Sequence, residues 1–277
     1  MNAHDTGGIA FIGGGNMARS LVGGLVARGH AGGSIHVAEP VPALREALAA
    51  DFGVTVSGEA AQAVVGASTW VLATKPQVLR NVCEGLADVA QRTRPLVVSI
   101  AAGITAAQLE RWLGGNVPVV RAMPNTPALL GAGVTGLFAS DRVSDAGRVL
   151  AERLLAAAGR TVWIKDEAQM DAVTAVSGSG PAYVFLLAEA MIDAGIGEGL
   201  PADAARALAL QTILGAARML TESHVDAAEL RRRVTSPNGT TQAAIEVFEA
   251  GGMRTLVASA IHAARVRGAQ LAAANDD

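Results

Sequence analysis

The sequence predicts an α/β chain in two parts, with alternating strands and helices over residues 1–165 and helices alone over residues 166–277. The first observation is a series of short β-branched runs at 9–12, 35–38, 54–56, 70–73, 96–100 and 117–120, each followed by a helix-length segment. Runs at 134–138 and 161–164 extend the series. Such alternation gives βαβ units and a parallel sheet with helices on both faces, and nearly continuous apolar strands are what two covered faces require. The second observation is compositional: 51% of the residues are apolar but only 3% aromatic. A core of Ala, Val, Leu and Ile suits helices on a sheet better than an aromatic-rich sandwich. The third is the change after Lys165, where apolar residues recur at helical spacing and convincing strands stop.

In that second part Val184, Leu187, Ala188, Met191 and Ile192 line one helical face, with Pro181 in the first turn and Gly195 near the end. Pro201 opens the next helix, Asp226 with Glu229 reads as a capping box for a third, and 254–274 reads as the last. At about 150 residues per domain, 277 residues make one large domain or two modest ones, and the change of pattern puts a boundary near Lys165. The alanine content of the helical part implies close packing, against another subunit as well as within the chain.

Composition excludes several classes. The mean hydropathy is +0.34, yet the long uncharged stretch between Arg121 and Asp141 carries Pro124, Asn125, Pro127, Gly131, Gly133 and Gly136, which a spanning helix of about 20 apolar residues would not. The first eight residues show neither a basic n-region nor an apolar h-region. A lone Cys83 forms no internal disulfide and no cysteine-based metal cluster, and its helical context marks it as a small buried hydrophobe. A net charge of -3 with scattered arginines, clustered only at Arg231, Arg232 and Arg233, offers no footprint for nucleic acid. The expectation is a soluble cytoplasmic protein without a metal site.

Gly13-Gly14-Gly15-Asn16-Met17-Ala18 fits G-x-G-x-x-A after a strand and at the start of a helix. Gly13 permits the tight turn, Gly15 admits a pyrophosphate to the backbone, Ala18 allows close helix–strand packing, and the helix N-terminus supplies amide donors. This predicts a Rossmann dinucleotide-binding domain. Glu39 ends the second strand 26 positions after Gly13, where a carboxylate accepts hydrogen bonds from the adenosine ribose and repels a 2'-phosphate. No arginine occupies the positions immediately after it.

Three further strings, Ala73-Thr74-Lys75-Pro76-Gln77, Ser177-Gly178-Ser179-Gly180-Pro181-Ala182-Tyr183 and Val234-Thr235-Ser236-Pro237-Asn238-Gly239-Thr240-Thr241, join the glycine turn and Met123-Pro124-Asn125-Thr126-Pro127. In this order, from about Ile9 to Leu271, the sequence closely resembles pyrroline-5-carboxylate reductase, the family of the last step of proline biosynthesis. The resemblance implies a Rossmann domain followed by a helical domain that forms a homodimer by intertwining helices, with dimers assembling into a ring. It implies NADPH or NADH as cofactor, held by Gly13, Gly14, Gly15, Asn16, Met17, Glu39, Ala73, Thr74, Lys75, Pro76, Ala102, Gly103 and Asn125. It places Ser177 and Gly178 in the cleft, with Asn238, Gly239 and Thr240 on the substrate and Thr241 and Ser236 as catalytic residues. Two positions depart from the family pattern: Ala60 stands where an Asn is common, and Glu39 where a small hydroxyl residue is common. Both argue against strict use of NADPH and for substantial use of NADH.

Reduction of a cyclic imine needs a hydride donor, a carboxylate socket and a proton on the ring nitrogen that solution can supply, so no His–carboxylate pair is required. His4, His30, His36, His224 and His262 lie in unrelated contexts and read as surface or packing residues. The turn 236–239 leading into a helix through Thr240 and Thr241 offers backbone amides and hydroxyls to a small carboxylate, with the amides of Gly239 and Thr240 as the expected donors. A hydroxyacid dehydrogenase of the 6-phosphogluconate type shares the two-domain plan but needs a lysine one turn after its glycine motif. Val184 stands four residues after Gly180, and Lys75 and Lys165 are the only lysines. A non-catalytic dinucleotide sensor leaves the 236–241 turn unexplained.

Overall fold

The computed structural model describes residues 7–273. Its first half runs β1 (Gly8–Ile12), α1 (Asn16–Ala27), β2 (Ile35–Ala38), α2 (Pro42–Phe52), β3 (Thr55–Ser57), α3 (Ala60–Ala63), β4 (Ala67–Leu72), α4 (Pro76–Thr93), β5 (Leu96–Ser99), α5 (Ala106–Trp112), β6 (Val119–Met123), β7 (Gly133–Ala139), α6 (Asp145–Leu155) and β8 (Gly159–Trp163). The second runs α7 (Met170–Val173), α8 (Gly180–Gly197), α9 (Ala202–Glu222), α10 (Ala227–Arg233), α11 (Thr240–Ala250) and α12 (Met253–Ala273). Local chemistry sets many of these limits. Pro42 and Pro76 open α2 and α4, left-handed Gly53 ends α2, and Thr105 with Gln108 closes a full capping box on α5. Asp226 caps α10 through the Glu229 amide. The Glu229 side chain, however, is held by Arg232 and Arg233. Pro201 is the residue before α9 and not its first turn.

The eight strands form one sheet in the order β3-β2-β1-β4-β5-β6-β7-β8. All pairings are parallel except β6 with β7, which corrects the expectation of a wholly parallel sheet. The residues between β6 and β7 form only a short 3-10 turn, Thr126–Leu130. Such a link cannot carry a crossover of a dozen or more residues, so β7 turns back beside β6. Alternate strand residues feed two cores. Phe11, Val37, Val71 and Val98 pack with Leu21, Leu25 and Leu154 on one face. Trp70, Leu72 and Val97 pack with Leu79, Cys83, Leu86 and Leu109 on the other. The order reverses direction between β1 and β4, and the crevice beyond their carboxyl ends is where such sheets bind ligands.

The chain divides into two compact units, 7–179 with 264–273 of the described residues, and 180–263. The last strand ends at Trp163, close to the boundary expected at Lys165, but the helical residues as far as Ser179 and the end of α12 belong with the sheet. There Gly268 packs against Asp171, and the Ala272 backbone lies beside Gly103. Ala274, expected in the last helix, and His4 with the N-terminal segment read for a leader lie outside the described residues.

In the second unit few side chains are buried, chiefly Ala188, Ala205 and Ala209, while Leu186, Val247 and Leu256 are 66%, 72% and 70% exposed. One helical run, Glu167–Gly197, is long and apolar enough to cross a membrane by length and composition. This run lies beyond the uncharged stretch 121–141. It carries Glu167, Asp171, Glu189 and Asp193.

Candidate active site

The glycine turn is built by three different constraints. Gly13 has φ +104° and a Cβ there would fall 2.6 Å from the Ala73 carbonyl oxygen. At Gly14 a Cβ would strike Leu48 and Glu39. At Gly15 a Cβ would meet nothing of the chain within 4 Å, so the chain's own packing does not demand a glycine and an approaching ligand does. Gly15 is also the N-cap of α1 and brings no side-chain acceptor. The amides of Asn16, Met17 and Ala18 therefore have no acceptor among the described residues. A 12-residue helix presents them with the positive end of its dipole to an anion.

Glu39 is buried at the end of β2. Its Oε2 accepts from the Gly14 amide at 2.8 Å and its Oε1 from the Val41 amide at 3.0 Å. The carboxylate thus fixes the glycine turn and keeps further lone pairs for hydroxyls. A cation does stand nearby: Arg45 Nη1 donates to the Glu39 and Pro40 carbonyl oxygens at 2.7 and 2.9 Å. Arg45 is six positions from Glu39, and only the first turn of α2 folds it back to the strand end. Ala60 begins the short α3.

Beyond β4 the Ala73 amide donates to Ile12 O at 2.8 Å, tying the two loops together. Thr74 Oγ1 is buried with no partner among the described residues, the kind of orphaned group a bound ligand completes. Lys75 is exposed as the N-cap of α4 and Pro76 follows at its start. The open space over Gly15, the free amides of α1 and the Thr74 hydroxyl fit a dinucleotide's phosphates and sugars.

Past β5, Ala102 is exposed and Gly103 adopts φ +72°. Asn125 bridges two segments, since its Nδ2 donates to Ser177 O at 3.1 Å and its Oδ1 accepts from the Val134 amide at 2.9 Å. Its side chain thereby acts first as a strut. Ser177 and Gly178 close a π-helical turn, Thr174–Gly178, with the Ser179 amide donating to Thr174 O at 2.8 Å. Ser177 Oγ donates to Val173 O at 2.9 Å, and a Cβ on Gly178 would reach Met123 Cε at 2.7 Å. Such π-turns gather at functional sites. The sequence reading missed this turn and one ion pair: buried Arg121 on β6 donates to Glu167 Oε1 at 2.7 Å, and the same oxygen accepts from the Ala106 amide at 2.7 Å. An arginine inside the apolar run Val119-Val120-Arg121-Ala122 was the available signal.

Ser236, Asn238, Gly239, Thr240 and Thr241 lie in the second unit, at the start of α11. Asn238 is left-handed at φ +60°. The Gly239 amide donates to Ser236 O at 3.1 Å and closes the turn, so it is not the free donor expected from the sequence. The unpaired amides begin one residue further along. The amides of Thr240, Thr241 and Gln242 have no acceptor among the described residues, and neither does the Thr241 hydroxyl. Among the described histidines, His36 lies on β2 with Nε2 buried, and desolvation holds its pKa below the usual value.

A sheet of this order, a glycine turn open to a ligand and a helical unit with unpaired amides at a helix start define the class of two-domain dinucleotide-dependent oxidoreductases. The family model "Pyrroline-5-carboxylate reductase dimerisation" matches residues 167–271, and "NADP oxidoreductase coenzyme F420-dependent" matches residues 8–103. The pyrroline-5-carboxylate reductase of Pseudomonas aeruginosa is 54% identical over 264 residues, covering 95% of this chain and 96% of that protein. The solved pyrroline-5-carboxylate reductase of Coxiella burnetii superposes with a TM-score of 0.93 at 43% identity, covering 96% of this chain and 99% of that one. A Plasmodium falciparum pyrroline carboxylate reductase with NADP bound superposes with a TM-score of 0.84 at 25% identity, covering 98% and 100%. The chain belongs to the pyrroline-5-carboxylate reductase family.

Proposed function

We infer that the chain reduces L-pyrroline-5-carboxylate to L-proline with a reduced nicotinamide dinucleotide, as the last step of proline biosynthesis. The observation that carries this reading is the start of α11, where three amides and a hydroxyl stand free at the positive end of a helix in the segment matched by the dimerisation family model. A small carboxylate is the ligand such a site suits. The nicotinamide supplies a hydride to the imine carbon when bound. The amides of Thr240, Thr241 and Gln242 hold the substrate carboxylate. Thr241 Oγ1 reaches the ring nitrogen next to the carboxylate-bearing carbon and holds that nitrogen or its proton. Ser236 and Asn238 shape the turn.

The glycine turn Gly13, Gly14, Gly15 with Asn16 and Met17 of α1 would hold the cofactor's phosphates, Glu39 its ribose, and Ala73, Thr74, Lys75, Pro76, Ala102, Gly103 and Asn125 its nicotinamide half. Glu39 favours NADH relative to a strictly NADPH-dependent site, and Arg45 keeps NADPH usable. The exposed apolar helices of the second unit pair in a homodimer, the site is shared between subunits, and dimers assemble further into a ring. On this reading the protein is a soluble oligomer of the cytoplasm. Oxidation of NADH and NADPH followed at the nicotinamide absorbance with pyrroline-5-carboxylate present tests the reading. Consumption with neither cofactor overturns it.

A further inference from the structure

The start of α11 departs from an ordinary capping box. In that motif a Gln at the third helical position reaches back to the amide of the N-cap residue. Here the N-cap is Gly239, and its amide is already spent on Ser236 O. Gln242, the third helical residue, reaches one residue further: its Oε1 accepts from the Asn238 amide at 2.8 Å. Its Nε2 donates to Glu246 Oε1, one turn along α11, at 2.7 Å. An amide side chain can present either end. A carboxylate at Glu246 accepts only, so it fixes the donor end of Gln242 toward itself and turns the acceptor end toward Asn238. Asn238 is held in the left-handed region, at φ +60°, which a non-glycine residue enters mainly as Asn or Asp and keeps where a local hydrogen bond supports it.

We propose that Gln242, oriented by Glu246, is a positioning residue that locks Asn238 left-handed and so presets the amides of Thr240, Thr241 and Gln242 for the substrate carboxylate. The inference rests on the reading of those amides as the carboxylate socket. Its consequence runs against simple electrostatics. Glu246 is an exposed anion one turn from an anion site, and by charge alone its removal improves binding of an anionic substrate. By the relay its removal weakens binding, because the Gln242 amide is released and the turn loses its preset shape.

The test compares Glu246→Ala, Gln242→Leu, the double variant and Gly239→Ala, each as the full chain. The readouts are KM for pyrroline-5-carboxylate, KM for the dinucleotide, kcat and the thermal midpoint. Loss of one or two neutral or charge-assisted hydrogen bonds corresponds to an increase in substrate KM of about five-fold or more. Expected are that increase in Glu246→Ala and in Gln242→Leu, no further increase in the double variant, and an unchanged KM for the dinucleotide. A fall or no change in substrate KM for Glu246→Ala overturns the relay, as does an additive double variant. Gly239→Ala places a Cβ 2.6 Å from Ser236 Oγ and distorts the socket itself. If it raises substrate KM while the other two do not, the relay alone fails. If it too leaves KM unchanged, the socket assignment fails. Should Gln242→Leu not fold, exposed Glu246→Ala decides the matter by the sign of its effect.

Discussion

Replacing Glu39 with Ser separates two jobs of one carboxylate. In the folded chain both oxygens accept backbone amides, those of Gly14 and Val41, and the group stands at the proposed ribose site. Its charge opposes a 2'-phosphate: one pair of unit charges about 4 Å apart interacts by roughly 4 kcal/mol at an effective dielectric of about 20, before screening by salt. Two amide donors and Arg45 at the same strand end reduce the effective repulsion, and if about 1.4–2 kcal/mol of it survives, Glu39→Ser raises the NADPH-to-NADH ratio of kcat/KM by about 10- to 30-fold. The same change leaves two amides without their acceptor and costs about 1–3 kcal/mol of stability. The assay measures kcat/KM with both cofactors at one ionic strength, alongside thermal unfolding. A folded variant with the ratio unchanged refutes the ribose contact and leaves Glu39 as a brace for the glycine turn alone.

Thr241→Val keeps the side-chain shape and removes the hydroxyl; turnover falls about 10²-fold with a smaller change in substrate KM, and near-normal turnover reduces Thr241 to a helix-start residue. Mixing inactive Gly15→Asp with inactive Thr241→Val subunits restores partial activity if the site is shared, and verified subunit exchange without recovery assigns each site to one chain. Burial, and secondarily the neighbouring Glu84 charge, push the Cys83 thiol from its ordinary 9.0 up to about 12. The native protein therefore resists thiol alkylation at pH 8 on the timescale in which the denatured chain reacts. Because the folded value is the higher, this thiol's contribution to stability is complete below pH 9 and is lost as pH rises from 9 toward 12. Urea unfolding across that range checks it.

Alternating apolar runs and punctuating Pro and Gly residues were enough to fix the eight strands, because strand and helix periodicity are local properties. The same holds for the glycine turn: strand, glycines and helix are contiguous, so Gly13, Gly15 and Ala18 could be assigned separate tasks from spacing alone, whereas the crowding of Gly14 by Leu48 and Glu39 arises only in the fold. The antiparallel β7 was not legible, since a strand's direction follows from the length of its connection and the neighbour it meets, not from its own pattern. Tertiary structure alone brought Arg45 to Glu39, Arg121 to Glu167 and Asn125 to Ser177, pairs 6 to 52 positions apart. It alone spent the Gly239 amide on Ser236 and moved the free donors to Thr240, Thr241 and Gln242. Residue type says which groups can donate or accept; which of them stay unpartnered, and so available to a ligand, depends on every neighbour the folded backbone brings within about 3 Å.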